Sequence, residues 1–439
     1  MKHIQKQLKH DIHKRIGHKI ANSSDIKVLM NLLEENNIND IGFNTLRRFW
    51  NLLPQTNASQ TTLNKLSNFL GYRSFFDYTK EKNKHQKWLT ELKLQELKNK
   101  DRLSKLDLKF IQSICETHDS VHYFIAVFEH TVNFKKWEYL SDLFNPKYSS
   151  FLKTRDISVN TYTTKLARFI NIYLNNLPQT YFDRIIEPLI TNYNFRYYII
   201  YSHIDMMNLN CRYGEIINLI KTKATTKEEQ IFLSLLNGLW SYLNTGKAPA
   251  VNFKKLDLDK LPTVLVGRYY GYQILQAKVL QDKDRENKVW TEFKKRLEKS
   301  KDQEIKWFLF ELLHHLLIIK DFEKLNYINN MSYEILLDDL HLYSYFDIFI
   351  YNLIDIILSY QSKDFKRAKI VFNQIDTDII ENRYYRYHYM IFYFCIGYHI
   401  HQECNLKLSY KKKYFDLVNK TEFKVFDQSN CGNHLVKYN

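Results

Sequence analysis

The stretches DFEKLNYINN (residues 321–330) and DFKRAKIVFNQI (364–375) decide the fold class. Each is a short polar break in which an aromatic, Phe322 or Phe365, stands just ahead of apolar residues at helical spacing. Asn133-Phe134-Lys135-Lys136-Trp137 and Cys211-Arg212-Tyr213-Gly214-Glu215 have the same shape. Phe322 and Phe365 are 43 residues apart, a spacing within the range of a repeated helix pair. LLNGLWSYLNTG (235–246) and YYGYQILQAKVLQ (269–281) place Gly238 and Gly271 33 residues apart, where a small residue lets neighbouring helices approach closely. The wider spacings do not reduce to one period, so the expectation is a degenerate α-solenoid.

Composition agrees with helices. Ten Gly and six Pro among 439 residues are too few for the tight turns of a nucleotide-binding α/β enzyme or a β-sandwich. With 45% apolar and 26% charged residues the chain can bury enough surface to order itself. The 32 Tyr and 29 Phe could serve as base-stacking platforms, but AT-rich codons fill a core with the same residues. Five Cys, an odd number, form no disulfide framework. The basic N-terminus lacks a signal-peptide core. The apolar stretches 343–360 and 386–401 carry or adjoin charges and read as buried helices, not membrane spans. A cytoplasmic protein without membrane contact is expected.

Charge is uneven. Residues 1–110 hold 21 Lys and Arg against 11 Asp and Glu, an excess of 10 out of the chain's +16. This points to an N-terminal part that meets an anionic partner, nucleic acid first among them. Ile12, Ile16 and Ile20 suit a short amphipathic helix, and Asn22-Ser23-Ser24-Asp25 supplies capping residues for the next. FNTLRRFWNLL, TTLNKLSNFLGY and SFFDYTKE follow as short helices. A charged connecting helix from Lys80 to Lys109 sets a boundary near residue 85.

Within IGFNTLRRFWNLLPQTNASQTTLNKLSNFLGYRSFFDY (41–78), Thr62-Leu63, Leu66-Ser67 and Leu70-Gly71 follow the order Thr-Leu-x-x-Leu-Ser-x-x-Leu-Gly, ahead of a segment opening with Ser74. This string resembles the second half of the phage-repressor (Cro/C1-like) helix-turn-helix domain. It also resembles an N-terminal module of uncharacterised Bacteroidetes proteins, with its Thr-Leu-(Arg/Lys)-Arg-Leu helix and Leu-Gly-Tyr-x-Ser corner. The family's Gln-x-x-Leu-Ala positioning helix has no counterpart in DIKVLMNLLEENN. The resemblance implies that Asn44-Thr45-Leu46-Arg47-Arg48 is a recognition helix. Asn44 and Thr45 would then offer first-turn amides to a phosphate, and Arg47 and Arg48 would reach base edges or backbone. Lys65, Arg73 and the lysines at 80, 82, 84 and 87 would add salt-dependent attraction. The alternative is that Leu46, Phe49, Trp50 and Leu53 form a core face behind solvated arginines.

Other constellations carry less. Cys395, His399, His401 and Cys404 could bind zinc only if the helix broke between them. His314-His315 suits a core or its boundary. Asp338-Asp339 and Glu34-Glu35 read as solvated pairs. Asp205 and Asp355 sit among apolar residues, where a Tyr hydroxyl or Arg is the usual partner. No phosphate loop, nucleophile elbow or zinc-protease pattern is present, so no catalytic residue, cofactor or metal is expected.

The reading is an all-α protein in two parts: a basic helix-turn-helix-like domain (1–85) and a domain (86–439) that resembles tetratricopeptide repeats. Its domain order resembles that of peptide-sensing bacterial regulators. The expected function is regulatory DNA binding, with the repeats binding a peptide or protein. Alternatives are an interaction scaffold that never touches DNA, and an RNA or single-strand binder using Arg383, Arg386 and Tyr384 to Tyr389.

Overall fold

Reversing the chain between long helices normally draws on glycine in the left-handed region, and this chain has few glycines to supply. A computed structural model describes residues 2–54, 58–115, 121–145, 147, 161–201, 204–251, 256–300, 302–337, 345–377 and 387–426. Among these, all regular structure is helical. The chain forms two compact units, Met1–Lys100 and Asp101–Asn439.

The first unit holds α1 (Lys2–Ile16), α2 (Ser23–Glu35), α3 (Phe43–Phe49), α4 (Gln60–Phe69) and α5 (Phe75–Lys98). Asn22 and Asp25 form a reciprocal capping box on α2, while Ser59 and Ser74 cap α4 and α5. Leu8, Ile12, Ile26, Leu29, Leu46, Phe49, Leu66 and Tyr78 share one core. The Tyr78 hydroxyl donates to Asp11 (2.8 Å), which also pairs with Lys82 (2.8 Å), fastening α5 to α1. No Gly or Pro interrupts the run from Ser74 to Asn99. The short helix and the connecting helix read from the sequence are therefore one, and the units divide after Lys100, not near residue 85.

The second unit begins with α6 (Lys105–Cys115), α7 (Val121–Asn133), α8 (Glu138–Leu143), α9 (Thr161–Asn176) and α10 (Gln179–Ile190). A π-helical segment (Phe195–Tyr201) and a short 3₁₀ turn (Met206–Asn208) lead into α11 (Arg212–Lys221) and α12 (Lys227–Thr245). Then come α13 (Thr263–Val279), α14 (Lys283–Leu297), α15 (Asp302–Ile318), α16 (Phe322–Leu337), α17 (Tyr345–Gln361), α18 (Phe365–Gln374), α19 (Tyr389–Ile400) and α20 (Cys404–Thr421). Among the described residues no helix is long and apolar enough to cross a membrane. Both apolar stretches contribute buried helices, α17 and α19.

Four hairpins, α7–α8, α13–α14, α15–α16 and α17–α18, reverse by one device. Lys135, Gln281, Lys320 and Lys363 adopt φ between 56° and 65°. The next amide reaches back to the last turn: Lys136 to the Thr131 carbonyl, Asp282 to Ala277, Asp321 to Leu316 and Asp364 to Ser359, at 2.9–3.0 Å. This is the Schellman closure without glycine. In the last three hairpins the following Asp accepts from an amide of the new helix, so one helix ends and the next begins at adjacent residues. Gln281-Asp282 belongs to this set although no aromatic follows it. Cys211–Glu215 does not belong, because α11 is entered from the 3₁₀ turn.

Two of the buried ion pairs in this unit meet at Tyr201. Glu229 accepts from Arg196 Nε (2.6 Å), the Tyr201 hydroxyl (3.1 Å) and the Thr225 and Thr226 amides that open α12. Arg196 also donates to the Ile190 and Thr191 carbonyls ending α10. Arg268 pairs with Glu311 (2.7 Å) and donates to the Tyr201 carbonyl (2.5 Å). Helices approach closely at Gly238 and Gly271, where a Cβ would lie 2.3 Å from the Tyr272 ring and 2.5 Å from the His315 ring.

Glu229→Ala strands a buried guanidinium and should cost about 3–5 kcal/mol, read as a fall in Tm at pH 7. Burial raises the Glu229 carboxyl, but Arg196 and the Thr225 and Thr226 amides outweigh it and hold the folded value below the ordinary 4.5. Its contribution is complete above pH 4.5 and is lost as pH falls through the depressed folded value. The variant should therefore lose less stability than wild type below pH 4.5; parallel pH profiles would rule this pair out as the source.

Candidate functional site

α3 carries Asn44, Thr45, Arg47 and Arg48. Gly42 is its N-cap and supplies no side-chain hydrogen bond, and the helix spans only Phe43–Phe49. Leu46, Phe49 and Trp50 are buried, while Leu53 is half-buried. Asn44 is exposed and Thr45 partly buried in the first turn. Arg47 lies over the Phe43 ring (5.5 Å) and donates to Asn44 Oδ1 (3.3 Å), which folds it back along its own helix. Arg48 and Arg73 are exposed.

Lys65 serves the fold. Its ammonium donates to the Asn39 (2.6 Å) and Asp40 (3.4 Å) carbonyls and lies 3.7 Å from the Asp40 carboxylate. It thereby pins residues 36–42, which join α2 to α3 through left-handed Asn37 and Asp40. That connection is longer than the three- or four-residue turn of a helix-turn-helix.

The tertiary structure brings α1 to α3. Lys9 Nζ lies 4.8 Å from the centre of the Phe49 ring, and Trp50 Nε1 donates to His13 Nε2 (2.9 Å). That bond places the proton of the neutral imidazole on Nδ1. Burial, and then the positive fields of His10, Lys19, His18 and Lys9, hold the His13 pKa below the ordinary 6.5. A local positive potential thus surrounds the end of α3 that carries Arg47 and Arg48. Arg15 lies over the Phe69 ring of α4 (4.6 Å). In the sequence Lys9 and His13 are marked only by their place in a basic, His-containing run. The clue was the basic N-terminal run, but its neighbour in space lies some forty residues away.

The remaining candidates resolve into packing. α19 does break after Ile400, yet among the described residues no group of three His, Cys, Asp or Glu could hold a metal. His401 instead stacks on Tyr410 (5.2 Å), and Cys395 is buried while Cys404 is exposed. His315 is buried against Gly271, with Nδ1 2.9 Å from the Glu311 carbonyl; burial pushes its pKa down to about 4. Asp355 pairs with Arg367 (3.1 Å). Asp205 is held by neither Tyr nor Arg but by Asn175 and Asn208, whose amides donate to it. Asp338-Asp339, Arg383, Tyr384, Tyr385 and Arg386 lie outside the described residues. Tyr389 is buried and offers no exposed stacking face.

No family model matches the chain, and neither a curated protein nor a solved structure matches it.

Protonating His13 breaks its bond to Trp50 and adds charge to a positive site. The stability this contact supplies is complete above pH 6.5 and is lost as pH falls through the depressed folded value. Unfolding of the first unit should therefore become easier over that window in wild type, and His13→Gln should flatten the slope. An unchanged slope in the variant would place the effect on another group.

Proposed function

We propose that the protein is a regulatory DNA-binding protein in which the basic first unit engages duplex DNA and the helical repeats of the second bind a peptide or protein partner. The observation that carries the reading is the convergence of α1 and α3. Lys9 lies over Phe49 and the neutral His13 accepts from Trp50, so that Lys9 adds the charge of α1 to the helix end that holds Arg48. Cations resting on aromatic faces keep their charge while their position is fixed, and such a patch attracts the phosphate backbone with strong salt dependence. Arg48 and Arg73 are the exposed cations for that contact, while Lys65 and Arg47 support α3 and its connection. The role of α3 in reading sequence follows from the repressor resemblance alone.

The second reading, an interaction scaffold without DNA binding, is favoured by a different feature. Trp88, Leu89 and Leu92 stand exposed on α5, with Trp88 57% accessible, and exposed apolar groups of this size suit a protein partner.

Fluorescence anisotropy with mixed-sequence duplex DNA at low and moderate salt separates the two. Wild type should bind with affinity falling steeply as salt rises. Arg48→Ala and Lys9→Ala should each weaken binding and reduce the salt slope by about 1. Absence of binding, or binding indifferent to both substitutions, would leave the scaffold.

A further inference from the structure

The C-terminal half of α5 is apolar on two sides. Thr90, Leu94 and Leu97, at three- and four-residue spacing, are buried and hold this half of the helix in place. Trp88, Leu89 and Leu92 stand on the opposite side, each at least 40% accessible. A surface helix needs only one apolar stripe to join a core. A single exposed leucine calls for no explanation, but three neighbouring apolar side chains form a patch. The indole is also held in position: His85, one turn earlier, stacks on Trp88 with ring centres 6.1 Å apart and planes at 27°. A fixed tryptophan is a common anchor of protein interfaces.

The charges around the patch say what covers it. Before Trp88, the exposed charges of α5 are Lys80, Lys84 and Lys87 against Glu81. After it they are Glu91 and Glu96. Lys82 is taken up by Asp11 within the fold, and Lys93 turns toward Glu96 (2.7 Å). The helix is therefore basic ahead of the patch and acidic beyond it. A partner of uniform charge, such as nucleic acid or an anionic membrane, would be attracted at one end and repelled at the other. A second α5 laid antiparallel matches both ends. It sets the lysine half of one copy against the glutamate half of the other, with the three apolar side chains packed at the centre. A parallel copy would instead set lysine against lysine and glutamate against glutamate. The pairs within the helix, Lys87 with Glu91 (3.9 Å) and Lys93 with Glu96, are solvent-exposed and worth little. They do not withhold these charges from a second chain.

We infer that the chain associates with a second copy of itself through α5, in an antiparallel pairing centred on Trp88, Leu89 and Leu92. The patch is small beside the interface of a permanent dimer, so the association is reversible and in the micromolar range. The inference goes beyond both readings of the function and holds with either.

The test is sedimentation velocity on the full chain over a micromolar concentration series. Wild type should pass reversibly from monomer to dimer as concentration rises. Trp88→Gln with Leu92→Gln, at exposed positions, should weaken association by about thirtyfold, the loss of an anchoring side chain, with an unchanged helical circular-dichroism spectrum. Lys84→Glu with Lys87→Glu, and Glu91→Lys with Glu96→Lys, should each associate less than wild type. An equimolar mixture of these two charge variants should recover the dimer. Wild type that stays monomeric throughout would overturn a second copy as the occupant. A dimer that survives loss of Trp88 and Leu92 would overturn α5 as the contact. Charge variants that associate as well as wild type, or a mixture no better than its components, would overturn the antiparallel pairing.

Discussion

Tyr201 is the residue through which the second unit is tied together. Its hydroxyl donates to Glu229 and its carbonyl accepts from Arg268, so two buried ion pairs meet at the end of one π-helical segment. Through Arg196 the first pair also reaches the free carbonyls ending α10, and through Glu229 it caps the start of α12. Arg268 and Glu311 carry the same connection to α13 and α15. Buried charges are costly unless every donor and acceptor is matched, and the geometry that matches them here leaves little freedom in the order and spacing of these helices.

The hairpins meet a related constraint by local means. A left-handed Lys or Gln costs more than a Gly would, but the amide that follows closes back on the preceding helix and, in three hairpins, an Asp opens the next. The side chain retained at these positions keeps the turns polar in a chain with only ten glycines. Gly17, Gly71 and Gly246 do take left-handed positions at helix ends, whereas Gly214, Gly238 and Gly271 lie in close contact with Trp240, Tyr272 and His315.

In the first unit, aromatic rings set where positive charge sits. Lys9, Arg15 and Arg47 each lie over a Phe ring, which holds flexible side chains in defined places. The same packing separates cations that support the fold from cations that face solvent. Lys65 closes the connection between α2 and α3, whereas Arg48 and Arg73 point outward.

The sequence by itself determined the helical class, the caps at Asn22 and Ser74, and the breaks at Lys135, Lys320 and Lys363. All of these depend on interactions within one or two turns of chain, where residue type and spacing are enough. α5 runs on past residue 85 because nothing in the charge-rich run that follows Lys80 breaks a helix. Only the tertiary structure decided that Lys65 pins a loop, that His13 meets Trp50 and that Asp205 holds two asparagines. His13 and Trp50 are 37 positions apart, Asp205 and Asn175 are 30, and Lys65 and Asn39 are 26, and a charge or amide carries no local mark of the partner that folding will bring to it.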